Sequence, residues 1–162
     1  MKYVIDNNSL SQIFKTLYFE SFPTFWSGFN SFVEAGELLS TREVFNEIQR
    51  HNQVFQEVNN WIESSSFHRS QFFTIPTVAE LNVVREIFSI NQFMSSISKK
   101  NYLRGYPSAD PFIIAKAKVI EGTVITEERY CKNAAKIPNI CKKLGIRCIT
   151  LRTYFVEKNW IF

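Results

Sequence analysis

Apolar positions alternate along the chain between short continuous runs and helical spacing. Tyr3-Val4-Ile5 is a β-branched and aromatic run closed by Asp6-Asn7-Asn8, residues that favour turns and helix caps, so a buried strand feeding a helix is predicted. Leu10, Ile13, Phe14, Leu17 and Tyr18 then recur at i, i+3, i+4, i+7 and i+8, one apolar helical face. A second helical segment carries Phe25, Phe29, Phe32 and Val33 and ends near Gly36. Leu38-Leu39 is a short strand, followed by a capping box, Ser40-x-x-Glu43, that opens a helix near Thr41. Val44, Phe45 and Ile48 give that helix its buried side, and Val54, Val58, Trp61 and Ile62 continue the pattern to a Ser-rich break at Ser64 to Ser66.

Phe72 to Ile75 reads as a third strand, and Pro76 with Thr77-x-x-Glu80 starts a capped helix that runs to about Ile97. A polar, basic and aromatic loop follows at Ser98 to Pro107, and a helix capped at Ser108 covers about Asp110 to Ile120. Thr123 to Thr126 is a strand, Ile137 to Leu144 a helix ending at Gly145, and Arg147 to Thr150 a last strand before an aromatic tail through Trp160 and Phe162. Strands separated by helices require crossover connections. The class is therefore α/β, a mainly parallel sheet covered on both faces, and the 162 residues make one domain, 1–162.

Composition narrows the picture modestly. Apolar residues make up 45%, with sixteen Phe to fill a core, and no run approaches the roughly 18 apolar residues of a membrane span. Asp6 stands where a signal peptide needs apolar residues, so a soluble, cytoplasmic protein without a membrane partner is expected. Nineteen Lys and Arg against fifteen Asp and Glu leave a charge of +4, which suits a nucleic-acid partner and suits ordinary solubility equally. Cys131, Cys141 and Cys148 lack zinc-site spacing and are expected as buried reduced thiols; His51 and His68, beside polar residues, are expected at the surface.

Ligands of open parallel sheets bind outside the carboxyl ends of the strands. Four acids meet that positional test: Asp6 after the first strand, Glu47 in the helix after the second, Asp110 at a helix start, and Glu128 just past Ile125-Thr126. Each also has a local explanation, as a cap, a first-turn acid or a solvated surface group. Three of them sit in apolar frames, however: Val4-Ile5-Asp6, Val44-Phe45-x-Glu47-Ile48 and Asp110-Pro111-Phe112-Ile113. Acids brought together beside core residues repel one another unless a cation neutralises them, and oxygen-only ligation favours Mg²⁺ or Mn²⁺.

The four segments Val4-Ile5-Asp6-Asn7-Asn8-Ser9-Leu10, Val44-Phe45-Asn46-Glu47-Ile48, Ala109-Asp110-x-x-Ile113-x-Ala115-x-Ala117 and Val124-Ile125-Thr126-Glu127-Glu128 resemble, in order and spacing, the four motifs of the PIN-domain ribonucleases. The resemblance implies a three-layer α/β/α sandwich and a Mg²⁺- or Mn²⁺-dependent endoribonuclease. It implies that Asp6, Glu47, Asp110 and Glu128 are the catalytic and metal-ligating residues, with Asn7, Ser9 and Thr126 supporting them by hydrogen bonds. Glu stands at 128 where the family usually has Asp, and Glu127 is the fallback for that corner. Residues 50–107 exceed what a minimal member needs. Small relatives of this kind are often toxins of bacterial toxin–antitoxin pairs, which implies an RNA substrate and a protein antitoxin as partners; a homodimer is left open. Phe22, Phe25, Trp26 and Phe29 are a candidate docking surface for an antitoxin, although core packing is the expected use of most of them. The loop residues Lys99, Lys100, Tyr102, Arg104 and Tyr106 can meet phosphates and bases, with a plain solvated loop the slightly favoured reading. A non-catalytic binding module of the same fold, and a phosphatase or DNA nuclease using the same acids, are the competing readings.

Overall fold

Five short strands form the centre of the fold. In the computed structural model, which describes residues 1–50, 54–65, 68–90 and 108–160, they are β1 (Tyr3–Ile5), β2 (Leu38–Thr41), β3 (Phe73–Thr74), β4 (Thr123–Ile125) and β5 (Cys148–Ile149). They form one sheet in the order β3-β2-β1-β4-β5 with every neighbouring pair parallel. All residues of β1 and β4 are buried, as expected of central strands covered on both faces.

The connections are helical. Helices α1 (Asn7–Thr16) and α2 (Pro23–Glu34) join β1 to β2; α3 (Arg42–Arg50), α4 (Phe55–Glu63) and a π-helical turn at His68–Phe72 lie between β2 and β3. Between β3 and β4 lie α5 (Val78–Ser89) and α6 (Asp110–Val119), α7 (Ile137–Leu144) joins β4 to β5, and α8 (Leu151–Glu157) follows β5. Contacts pair α1 with α3 and α2 with the π turn, and separately α5 with α6 and α6 with α7. The result agrees with an α/β/α sandwich. Among the described residues no helix is long and apolar enough to cross a membrane.

One side of the core is aromatic. Trp61 meets Phe14, Phe29 and Phe72 edge-on at 5.8, 5.7 and 5.2 Å between ring centres, the geometry that ring quadrupoles favour. Trp26 and Trp61 each satisfy the indole N–H at 2.8 Å, on the Leu17 carbonyl and the Asn30 amide oxygen. Phe25, Trp26 and Phe29 are buried here, so they are core and not a docking surface. His68 corrects the surface expectation. Its ring stacks on Trp61 at 3.9 Å with Nδ1 2.7 Å from the Trp61 carbonyl, because the π turn folds it inward despite its polar sequence neighbours.

Several local expectations also change. Ser40 does not cap α3: its hydroxyl donates to the Ile5 carbonyl at 2.9 Å, tying β2 to β1. Thr41 accepts from Val44 N instead, at 3.4 Å, and the Glu43 carboxylate turns to Arg42. By contrast, the Thr77–Glu80 box forms in both directions, at 3.2 and 3.1 Å. Helix α5 stops at Ser89, where Ile90 becomes extended, well short of Ile97. The last strand is only Cys148–Ile149, since Thr150 accepts from Thr153 N and caps the unexpected α8. Cys131 is exposed, not buried; Cys141 is buried and Cys148 half-buried, all with free thiols. The loop expected at 98–107, with Lys99, Lys100, Tyr102, Arg104 and Tyr106, lies outside the described residues, as do His51 and Phe162.

Candidate metal centre

Strand order reverses at β1: the chain steps from β1 through β2 to β3 on one side and places β4 and β5 on the other. A crevice opens at such a switch point, past the carboxyl ends of the strands. There the β1–β4 ladder runs one residue beyond the strands. Asp6 N donates to the Ile125 carbonyl at 3.0 Å, which sets Asp6 beside Thr126.

Asp6 is the N-cap of α1 and is 4% exposed. Its Oδ1 accepts from Ser9 N at 2.7 Å and its Oδ2 from the Thr126 hydroxyl at 2.5 Å. Burial pushes its carboxyl up to about pKa 6; the Thr126 and Ser9 hydrogen bonds oppose this, and the charge of Asp110 adds to it. Glu47 spans three elements: Oε1 accepts from Ala109 N at 2.9 Å, just before α6, and Oε2 from Asn7 Nδ2 in α1 at 3.1 Å. Asp110 opens α6, its N–H donating to the Ser108 hydroxyl at 3.3 Å. Glu128 N donates to the Thr126 hydroxyl at 3.1 Å, and its Oε2 accepts from Ile137 N, the first amide of α7, at 2.9 Å.

Asp6, Glu47, Asp110 and Glu128 all line one open cleft of about 300 Å³, together with Asn7, Asn8, Ser11 and Lys15. The four sequence segments therefore converge. Glu127 does not join them: its Oε1 accepts from Leu151 N at 2.7 Å and anchors the first turn of α8. Asn7 and Thr126 support the acids as expected, whereas Ser9 does so only through its amide, its buried hydroxyl having no partner among the described residues. Lys15 was not apparent from the motifs. It follows Asn7 and Ser11 at four-residue steps along α1, a polar stripe that the apolar face of the same helix concealed.

Among the described residues no group of three or more His, Cys, Asp or Glu side chains stands in position to hold a metal ion. Asp6, Glu47 and Glu128 each give at least one oxygen to an amide or hydroxyl of the protein. What remains is an all-oxygen donor set in an open, polar cleft. It suits a hard, largely hydrated ion such as Mg²⁺, which usually binds through one or two carboxylates and keeps several waters. Residues 3–162 match the family described as Domain of unknown function (DUF4411). No curated protein matches the chain.

Proposed function

The chain belongs to the DUF4411 family, and we propose that it is a Mg²⁺- or Mn²⁺-dependent endoribonuclease hydrolysing RNA phosphodiester bonds at the acidic cleft. The observation that carries this reading is the gathering of Asp6, Glu47, Asp110 and Glu128 from four distant segments around one cleft at the switch point. The resemblance of those segments to PIN-domain motifs supports it. Asp6 and Asp110, which repel each other electrostatically, are the pair that would hold the ion, with Glu47 and Glu128 at its edge. When bound, the ion supplies Lewis-acid activation of water and charge stabilisation for the phosphoryl group.

The chain's own residues do the positioning. Ser9 N and the Thr126 hydroxyl fix both oxygens of Asp6, and Glu47 ties α1 to the start of α6, so the carboxylates keep their places when substrate enters. Glu128 engages the protein through Oε2, which leaves Oε1 to take the proton of an attacking water. Lys15 offers a cation to the phosphate oxygens opposite the acids. The biological role that fits is the toxin of a cytoplasmic toxin–antitoxin pair, held inactive by a protein antitoxin.

Purified protein incubated with single-stranded RNA, duplex DNA and a small phosphate ester tests the reading. We expect RNA to be cut internally with Mn²⁺ or Mg²⁺ and to survive with EDTA, and both Asp6→Asn and Asp110→Asn to lower the rate at least a hundredfold. Cleavage that persists unchanged in both variants removes the proposal. One observation favours a second reading, a non-catalytic RNA-binding module: among the described residues no three acids stand ready for an ion. That reading requires RNA binding without cleavage under every metal.

A further inference from the structure

Helix α3 carries Glu47 toward the acidic cleft, and a different stripe of the same helix borders two further cavities. These measure about 440 and 560 Å³ and share Arg42, Asn46 and Ile75 as a common wall, so they form one groove. Three arginines line it: Arg42 in the middle, Arg50 in the first cavity and Arg69 in the second. Arg42 is half-exposed, and its fork is fixed by Nε and Nη2 donating to Glu43 Oε1 at 3.3 and 3.0 Å. Among the described residues Glu43 is the one carboxylate lining the groove, and Arg42 already engages it. Arg69 lies over the Phe45 ring at 5.6 Å, which holds its guanidinium plane at the rim. Between the cations the walls are apolar: Ile75, unusually open for its type at 68% exposure, faces the groove with Leu81 and Phe112.

Cations spaced along a groove with exposed apolar surface between them match a strand that alternates phosphates with flat bases. The groove and the acidic cleft are lined by neighbouring residues of the same two helices, α3 and α6. Asn46 lines one and Glu47 the other, and Phe112 of the groove lies two residues past Asp110 of the cleft. A polymer cut at the acids has to continue past α3, and there the charge changes sign in its favour. We propose that this arginine-walled groove binds the single-stranded RNA that flanks the bond at the acidic cleft, the guanidinium groups on phosphates and the bases against Ile75 and Phe112. The inference rests on the nuclease reading for its direction and on the groove itself for the binding.

Fluorescence anisotropy with a labelled oligo(U) of about twelve nucleotides, and with a trinucleotide, tests it on the full chain. Arg42→Gln with Arg69→Gln is expected to weaken the long RNA about tenfold or more and to flatten its log–log salt slope by about 1.4, two single-strand phosphate contacts at about 0.7 each. The trinucleotide is expected to bind unchanged, and Arg42→Lys, which keeps charge and fold, to recover most of the loss. Unchanged affinity and slope for the long RNA overturn the proposal. So does an equal loss for both lengths, or a polyglutamate peptide that binds as tightly with the same arginine dependence. Arginine-dependent RNA binding in a chain that never cleaves under Mn²⁺ keeps the groove and discards the nuclease.

Discussion

Asp6 is pulled two ways, by burial that favours its proton and by two hydrogen bonds that favour its charge, and burial prevails. The sign for stability follows. With a folded-state pKa of about 6 against an ordinary 3.8, the folded protein retains the proton where the unfolded chain has released it. The metal-free fold is therefore expected to lose about 3 kcal/mol as pH rises from about 4 to about 6, with no further loss from this group above that. Asp6→Asn keeps the N-cap acceptor for Ser9 and removes the titration. Denaturation in EDTA across this range should show the wild type falling relative to the variant; parallel curves refute the assignment. At this scale the sequence displayed Asp6 and Asp110 through their apolar neighbours. It could not display His68 or Lys15, whose places depend on a π turn and on a partner element far along the chain.

At the scale of elements, the seam between α5 and α6 is closed by a buried ion pair. Lys116 Nζ donates to Glu80 Oε1 at 3.0 Å while Glu80 Oε2 accepts from Thr77 N in the cap of α5, so one carboxylate serves both the helix start and the interhelix contact. Lys116→Met leaves that carboxylate buried without its cation, and chemical denaturation should show a loss of about 3–5 kcal/mol. Adding Glu80→Gln, which keeps the capping acceptor, should return most of it, whereas Thr77→Ala alone should cost about 1 kcal/mol. The Thr77–Glu80 signature was legible because both partners lie within one turn. The Ser40–Glu43 signature misled because the Ile5 carbonyl across the sheet claimed Ser40 first. Helix α8 went unread among the tail aromatics, although Leu151, Tyr154 and Phe155 hold helical spacing behind Thr150. Its reason for existing is tertiary: Tyr154 packs edge-on against Tyr3 of β1 at 4.8 Å.

Across the whole molecule, alternation of strands and helices was enough to specify an α/β class with a mainly parallel sheet, which proves parallel throughout, and the position of the acids relative to strand ends was enough to bring them to one cleft. The commitment of their oxygens to amides was not readable, since those donors come from Ala109, Ile137 and Ser9 backbone groups that any residue supplies. A cleft of this kind should gain stability from its cation by mass action. Mn²⁺ at a hundredfold excess over its Kd is expected to add about 2.7 kcal/mol and raise Tm by roughly 5–10 °C. In the Asp6→Asn/Asp110→Asn double variant the melting curve should not respond to Mn²⁺. A response of equal size there places the ion elsewhere.

The bond between the Thr126 hydroxyl and Asp6 joins groups 120 residues apart. As the ribosome extends the chain, Asp6 emerges long before the strand that shelters it, and β1 has no β4 neighbour until Thr123–Ile125 follows. A nascent polypeptide halted anywhere short of Thr126 thus carries its acids on an unclosed edge, without the cleft. The cleft, whatever it binds, is assembled only once the ribosome has passed Glu128, the last of its four acids to be made.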